Sequence, residues 1–295
     1  MHWREMGTGG QNLTNVNAAV REEVSALKEE YLALLDKKER EQVYQAYIER
    51  NTRLIPRDFE QNHGISCGIV LRKLSFGADY KSDFFYLSKS TVLWHAVHIE
   101  IEKPSSKYFK EGSNTFHPDF EHAMNQVVDW RAWLIRDNEA AFRSQMSALL
   151  IPTHMGRNPI EHKFVVVYGR RSEYDGNPTR RSKIAALQKD DLRIISFDSL
   201  SEGLAGKWPV NIGIRRNEHI DILGNELESP EACGWMEPSQ FSISNTAQAN
   251  LLNIHSTPNP KSFRFVDGER TDSYEYFAKN ARIRPDKDVA VVEGE

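Results

Sequence analysis

The sequence predicts an α/β fold in which a mixed β-sheet is flanked by helices. Three observations lead there. Apolar residues in 15–50 recur at helical spacings. Residues 64–103 are rich in β-branched and aromatic residues and are broken by turn residues. After a long amphipathic segment, two short continuous apolar runs are separated by a helical stretch, the order expected of an α/β sandwich with a partly parallel sheet.

In the first region Val20, Val24, Leu27 and Tyr31 stand three and four apart, which predicts a helix. Lys37 and Lys38 interrupt the stripe, and a second helix carries Val43, Tyr44, Tyr47 and Ile48 before Asn51 and Pro56 stop it. The segments "GISCGIVLRKL", "SDFFYLS" and "TVLWHAVHIEIE" read as three strands of an antiparallel meander. Pro104 ends the third, and "SSKYFKEGSNTF" is a loop. Residues 118–147 give the clearest helix, with Phe120, Met124, Val127, Trp130 and Leu134 in one stripe and Pro118 in its first turn. "KFVVVYG" and "LRIISF" read as buried strands around the short helix "RRSKIAALQKD", and "DSLSEGLAG" as a last helical turn. Beyond Trp208 periodicity fades, leaving either an irregular extension or a small β-rich module. The last ten residues read as a loose acidic tail.

With 295 residues, the chain can bury one large core or two small ones. No apolar run is long enough to cross a bilayer, and the N-terminus has no signal-peptide h-region, so no membrane association is expected. Cys67 and Cys233 form neither a disulfide framework nor a zinc pattern, and a reducing cytoplasm fits them. A net charge of −4 argues against a protein that coats nucleic acid by bulk charge. It leaves room for a basic groove beside an acidic site.

The third strand carries the chemistry. In "HAVHIEIEKP", alternation puts Val97, Ile99 and Ile101 on one face and His98, Glu100 and Glu102 on the other. Neighbouring carboxylates raise each other's pKa unless a cation is present. Mg²⁺ would relieve that conflict with hard oxygen ligands, and Mn²⁺ could substitute. Asp83 begins the preceding strand, so hairpin pairing would bring it to Glu100 and Glu102. Lys103 follows at once, but alternation points it away unless the chain twists at Pro104.

An Asp, a spacer and a Glu-x-Lys or Glu-x-Glu at a strand end resembles the PD-(D/E)xK nucleases, with their restriction-endonuclease-like core. The order of "EQVYQAYIERNTRLIP", "HIEIEKPSSKYF", "FHPDFEHAMNQVVDWRAWLIRDN", "FVVVYGRR" and "LRIISFDSL" resembles the Shedu antiphage nuclease family over residues 39–205. The resemblance implies metal-dependent cleavage of DNA, a homo-oligomer (dimer or tetramer) and defence against phage. It implies that Asp83, Glu100 and Glu102 are the core acids, that Gln126 is the helix glutamine and that Glu41 is the leading-helix acid. With the composition and periodicity above, the chain is expected to divide into a flexible N-terminus (1–14), N-terminal helices (15–62), a nuclease core (63–208) and a C-terminal extension of undefined role (209–295). Two departures stand out: Ser82 replaces the proline of the superfamily name, and Glu102 replaces the usual lysine. The second keeps a rival open, an inactive nuclease-fold module that binds DNA ends or a protein partner.

Other residues carry competing readings. His95 and His98 are three apart on a strand and face opposite sides, which rejects them as a zinc pair. His98 alone shares the acidic face, or is simply a satisfied core histidine. Trp130 and Trp133 fit packing better than base stacking, and Gln126 could equally serve a hydrogen bond between helix and sheet. Arg170, Arg171, Arg180 and Arg181, with Lys183, form the best basic cluster for phosphate contacts, and an ordinary charged surface helix explains them nearly as well.

Overall fold

The computed structural model describes residues 10–76, 80–135, 138–255 and 263–287. Residues 1–9 of the expected flexible N-terminus and 288–295 of the expected acidic tail lie outside the described residues.

The N-terminal half opens with α1 (Gly10–Leu35) and α2 (Glu41–Arg50), followed by β1 (Ile69–Phe76), β2 (Tyr80–Lys89) and β3 (Trp94–Ile101). Next come α3 (Pro118–Ile135), α4 (Glu139–Gln145), β4 (Ile160–Val167), α5 (Pro178–Leu187), β5 (Leu192–Ile195) and α6 (Phe197–Leu200). The C-terminal part holds β6 (Asn211–Arg215), β7 (Ile220–Ile222), β8 (Phe241–Ser244), α7 (Asn245–His255), the ribbon β9 (Phe263–Val266) and β10 (Glu269–Asp272), α8 (Ser273–Asn280) and β11 (Arg282–Arg284).

Nine of these strands form one sheet in the order β11-β8-β7-β6-β1-β2-β3-β4-β5. The expected meander is present: β1, β2 and β3 pair antiparallel. β4 and β5 then add in parallel, so the sheet is mixed. β6 joins the far side of β1 in parallel, which carries residues beyond 209 into the same sheet. These added strands are only three to five residues long. So few positions barely express a two-residue period, which is why periodicity is faint there.

Alternation along the central strands buries both faces. Val70, Phe84, Tyr86, Val97, Ile99 and Ile101 pack under Tyr31 and Leu35 of α1, Tyr44 and Ile48 of α2, and Phe197 of α6. Phe85, Trp94, Ala96, Phe164 and Val166 pack on the other side with Phe120, Val127 and Trp130 of α3, Phe142 of α4 and Phe277 of α8. The Tyr31 hydroxyl donates to the Phe197 carbonyl at 3.0 Å and ties α1 to α6. Trp130 is core and Trp133 packs partly against it.

Two boundaries differ from expectation. Helix α1 starts at Gly10, ahead of residue 15, because its first turns are polar and lack the apolar stripe by which a helix is read. The single helix expected over 118–147 is two helices, α3 and α4. Between them the Asn138 amide donates to the Trp133 carbonyl at 2.7 Å, giving a carbonyl of the last turn a partner outside the helix.

Candidate metal centre at the end of the central strands

The acidic site lies where β3 ends, β2 begins and β1 ends. The β2–β3 ladder pairs Phe84 with Ile99 and Phe85 with His98, so one further step sets Asp83 opposite Glu100. The Asp83 carboxylate accepts the Ile101 N–H at 2.8 Å and is ion-paired to the Lys73 ammonium. Asp83 is 5% exposed and Glu100 9%. Glu102 follows β3, where its N–H donates to the Val167 carbonyl at 3.0 Å. Glu41 opens α2, where the positive end of the helix dipole favours an acid.

These four carboxylates share one electrostatic field. Burial, then Asp83 and Glu102, push the Glu100 carboxyl well above the usual carboxylate range. Burial, then Glu41, push Glu102 up to about 6, and Lys103 and His122 pull the other way. Burial and Asp83 raise Glu41. The ionised forms of Glu100, Glu102 and Glu41 are thus disfavoured first by burial and then by one another.

Lys103 is exposed but belongs to this field, since its charge favours the ionised forms of Glu41 and Glu102. Gln126 makes no hydrogen bond to the acids, and its buried Oε1 has no partner. It lies one turn along α3 from His122, on the same helical stripe. The Glu100 Oε2 atom is likewise buried without a partner. Hard oxygen donors and the orphaned Glu100 oxygen fit a divalent cation. Among the described residues, however, no three Asp, Glu, His or Cys side chains converge closely enough to hold an ion as they stand.

Two residues of the site escaped the sequence reading. Lys73 has φ +49°, the left-handed region that costs a non-glycine residue roughly 1–2 kcal/mol. Its conformation shifts the alternation of β1 by one, so that Ile69 and Leu71, then Leu74 and Phe76, face the same core. No sequence pattern announces such a slip. His122 was findable, because it stands four residues before Gln126.

His98 is fully buried among Phe76, Phe85, Phe142 and Phe164. Its Nε2 lies 3.1 Å from His162 Nδ1, and burial holds its pKa well below the usual histidine value. His95 faces the opposite side, with Nδ1 3.0 Å from the Phe59 carbonyl. The expected basic cluster is largely engaged within the chain. Arg170 pairs with Asp36 and Asp198, each at 2.9 Å. Arg171 pairs with Glu202, Arg180 bonds Asn114 and the carbonyls of Ser113 and Glu173, and Arg181 bonds the Asp175 carbonyl.

A large mixed sheet flanked by helices is consistent with a nuclease-like α/β core. The family model described as Shedu protein SduA, C-terminal, matches residues 38–201. This chain belongs to the Shedu family, whose association is with antiphage defence and nuclease activity. The family is consistent with the PD-(D/E)xK superfamily. No curated protein matches the chain. Among the described residues no helix is long and apolar enough to cross a membrane.

Proposed function

We propose that this protein is a metal-dependent endonuclease that hydrolyses phosphodiester bonds in DNA during defence against phage. The observation that carries this reading is the placement of Asp83 opposite Glu100 on neighbouring strands, with Glu102 and Glu41 in the same field and a Glu100 oxygen buried without a partner. Asp83, Glu100 and Glu102 are the residues that would hold Mg²⁺ or Mn²⁺, with Glu41 at the rim. When bound, such an ion supplies Lewis acidity toward a phosphoryl oxygen and a more acidic water.

The chain's own groups supply the rest. Glu102, at the end of β3 beside Glu41, Lys103 and His122, is placed to orient an attacking water as well as to hold the ion. Lys73 and Lys103 bring positive charge to the site that now carries the Glu-x-Glu pair, which offsets the missing lysine of the motif. Gln126, one turn from His122, offers a polar group from α3 toward this end of the sheet. The family resemblance adds a homo-oligomer, and the two separate cysteines fit a reducing cytoplasm.

Two observations favour the rival, a nuclease-fold module that binds DNA ends or a protein without cutting. Lys73 already neutralises Asp83, and the acids do not converge on a common point. Calorimetric titration of the full chain with Mn²⁺, beside cleavage of plasmid and linear DNA, separates the two readings. The nuclease reading expects site-specific Mn²⁺ affinity that Asp83→Asn removes, and metal-dependent cuts. A folded protein with neither would establish the rival.

A further inference from the structure

We propose that Arg215, Arg216 and Arg282 form a track for DNA backbone phosphates that leads along the sheet end to the acidic site. This rests on the reading that the site acts on DNA, and it names a surface that the sequence did not single out.

The topology places these residues. The parallel β1–β6 ladder pairs Ile69 with Asn211 and Leu71 with Gly213, so continuing it sets Arg215 level with Lys73. Gln145 confirms that closeness: its amide donates to the Ser75 carbonyl at 2.9 Å, while its own carbonyl accepts from Arg215 Nε at 3.0 Å. β7 returns antiparallel, pairing Ile220 with Arg215. β8 and β11 follow in parallel, pairing Ile220 with Phe241 and Ser242 with Arg282. The β6–β7 turn and the start of β11 therefore sit at the same end of the sheet as Asp83, Glu100 and Glu102. Five strand steps separate β2 from β11, about 24 Å at roughly 4.8 Å per step. At about 3.4 Å of rise per nucleotide, that is the length of roughly seven nucleotides of one strand.

The chemistry suits phosphate. Arg215, Arg216 and Arg282 border an open polar concavity of about 590 Å³ with Asn217 and His219. Three guanidinium groups there face two carboxylates: Arg216 pairs with Asp221 at 2.9 Å and Arg282 with Glu218 at 3.1 Å. Arg215 donates to the carbonyls of Gln145, Arg216 and His219, neutral acceptors that leave its charge uncompensated. The side chains of Arg216 and Arg282 are about half exposed, at 53% and 47%. The Glu218 partner of Arg282 is exposed and held weakly enough to yield to a phosphate, which an arginine fork binds through two parallel bonds. Asp221 is less exposed and is shared with His219 at 3.0 Å, and Arg216 meets it through Nε, the inner nitrogen of its guanidinium. Arg170, by contrast, stands between two carboxylates.

The test is fluorescence anisotropy of a labelled DNA duplex with the full chain in EDTA, between 50 and 200 mM salt, with cleavage assayed separately in Mn²⁺. Arg216→Ala/Arg282→Ala should bind about tenfold more weakly at 0.1 M salt, with a salt slope smaller by about 2. Arg216→Lys/Arg282→Lys should keep most of the affinity, and thermal melting establishes that both variants are folded. Arg170→Ala/Arg171→Ala should bind nearly as the wild type does. If the folded alanine pair binds with unchanged affinity and slope while the wild type binds and cuts, the track is wrong and the nuclease reading stands. If the pair loses binding but the wild type never cuts, the track stands and the nuclease reading fails. A wild type that binds no DNA overturns both.

Discussion

Replacing Glu102 by glutamine should stabilise the metal-free protein at alkaline pH and leave it unchanged in acid. The unfolded carboxyl titrates near 4.5 and the folded one at about 6, raised first by burial and then by Glu41. Below pH 4.5 both states are protonated, and this group's contribution to stability is intact. As the pH climbs through 6 the folded carboxyl must ionise beside its neighbours, and that contribution is lost. A shift of this size corresponds to about 2 kcal/mol. The carboxyl is partly solvated, so screening reduces the expected effect to about 1 kcal/mol. Glu102→Gln should therefore melt about 2 °C above wild type at pH 8 in EDTA, with the gap closing by pH 4.5. Saturating Mn²⁺ should reverse the ranking, since an ion at 100 times its Kd adds about 2.7 kcal/mol to a protein that binds it. Urea and thermal melts across pH 4.5–8, with EDTA and with Mn²⁺, measure all of this. A variant less stable than wild type at pH 8 in EDTA, or a gap independent of pH, would refute the idea of a crowded carboxylate field.

Lys73→Ala leaves the nearly buried Asp83 without its cation and should cost about 2 kcal/mol in EDTA, with Mn²⁺ restoring much of it; urea melts in the two conditions show whether it does. Tyr31→Phe removes the buried hydrogen bond to the Phe197 carbonyl and should cost about 1 kcal/mol in the same assay, without changing Mn²⁺ affinity. Trp130→Ala empties a core position and should cost roughly 3–5 kcal/mol; a folded, stable variant that had lost only DNA binding would make Trp130 a contact residue instead.

Much of the acidic end of the sheet was legible because its signals are local. The meander needed only three β-rich segments and two turns, and one hairpin brought Asp83 to the end of β3. Strand alternation also separated His95 from His98 correctly. Lys73 was illegible because its left-handed backbone breaks the alternation that sequence reading assumes. The arginines at 170 and 171 looked available for phosphate because their partners Asp36, Asp198 and Glu202 lie on other elements, where only the fold brings them near. The strands beyond 209 were too short to show a period, and with them went Arg215, Arg216 and Arg282. These residues come to the same end of the sheet as the acids only through the order β11-β8-β7-β6-β1.

The most direct test of the nuclease reading is cleavage of linear and circular DNA by the purified full-length chain in Mg²⁺ or Mn²⁺, with EDTA as control and Asp83→Ala and Glu100→Ala alongside. Cuts are expected in both DNA forms, requiring the metal and disappearing in both folded variants. Cleavage that persists in either folded variant would contradict the assignment of Asp83 and Glu100, and a folded wild type that neither cuts DNA nor binds Mn²⁺ would contradict the nuclease itself.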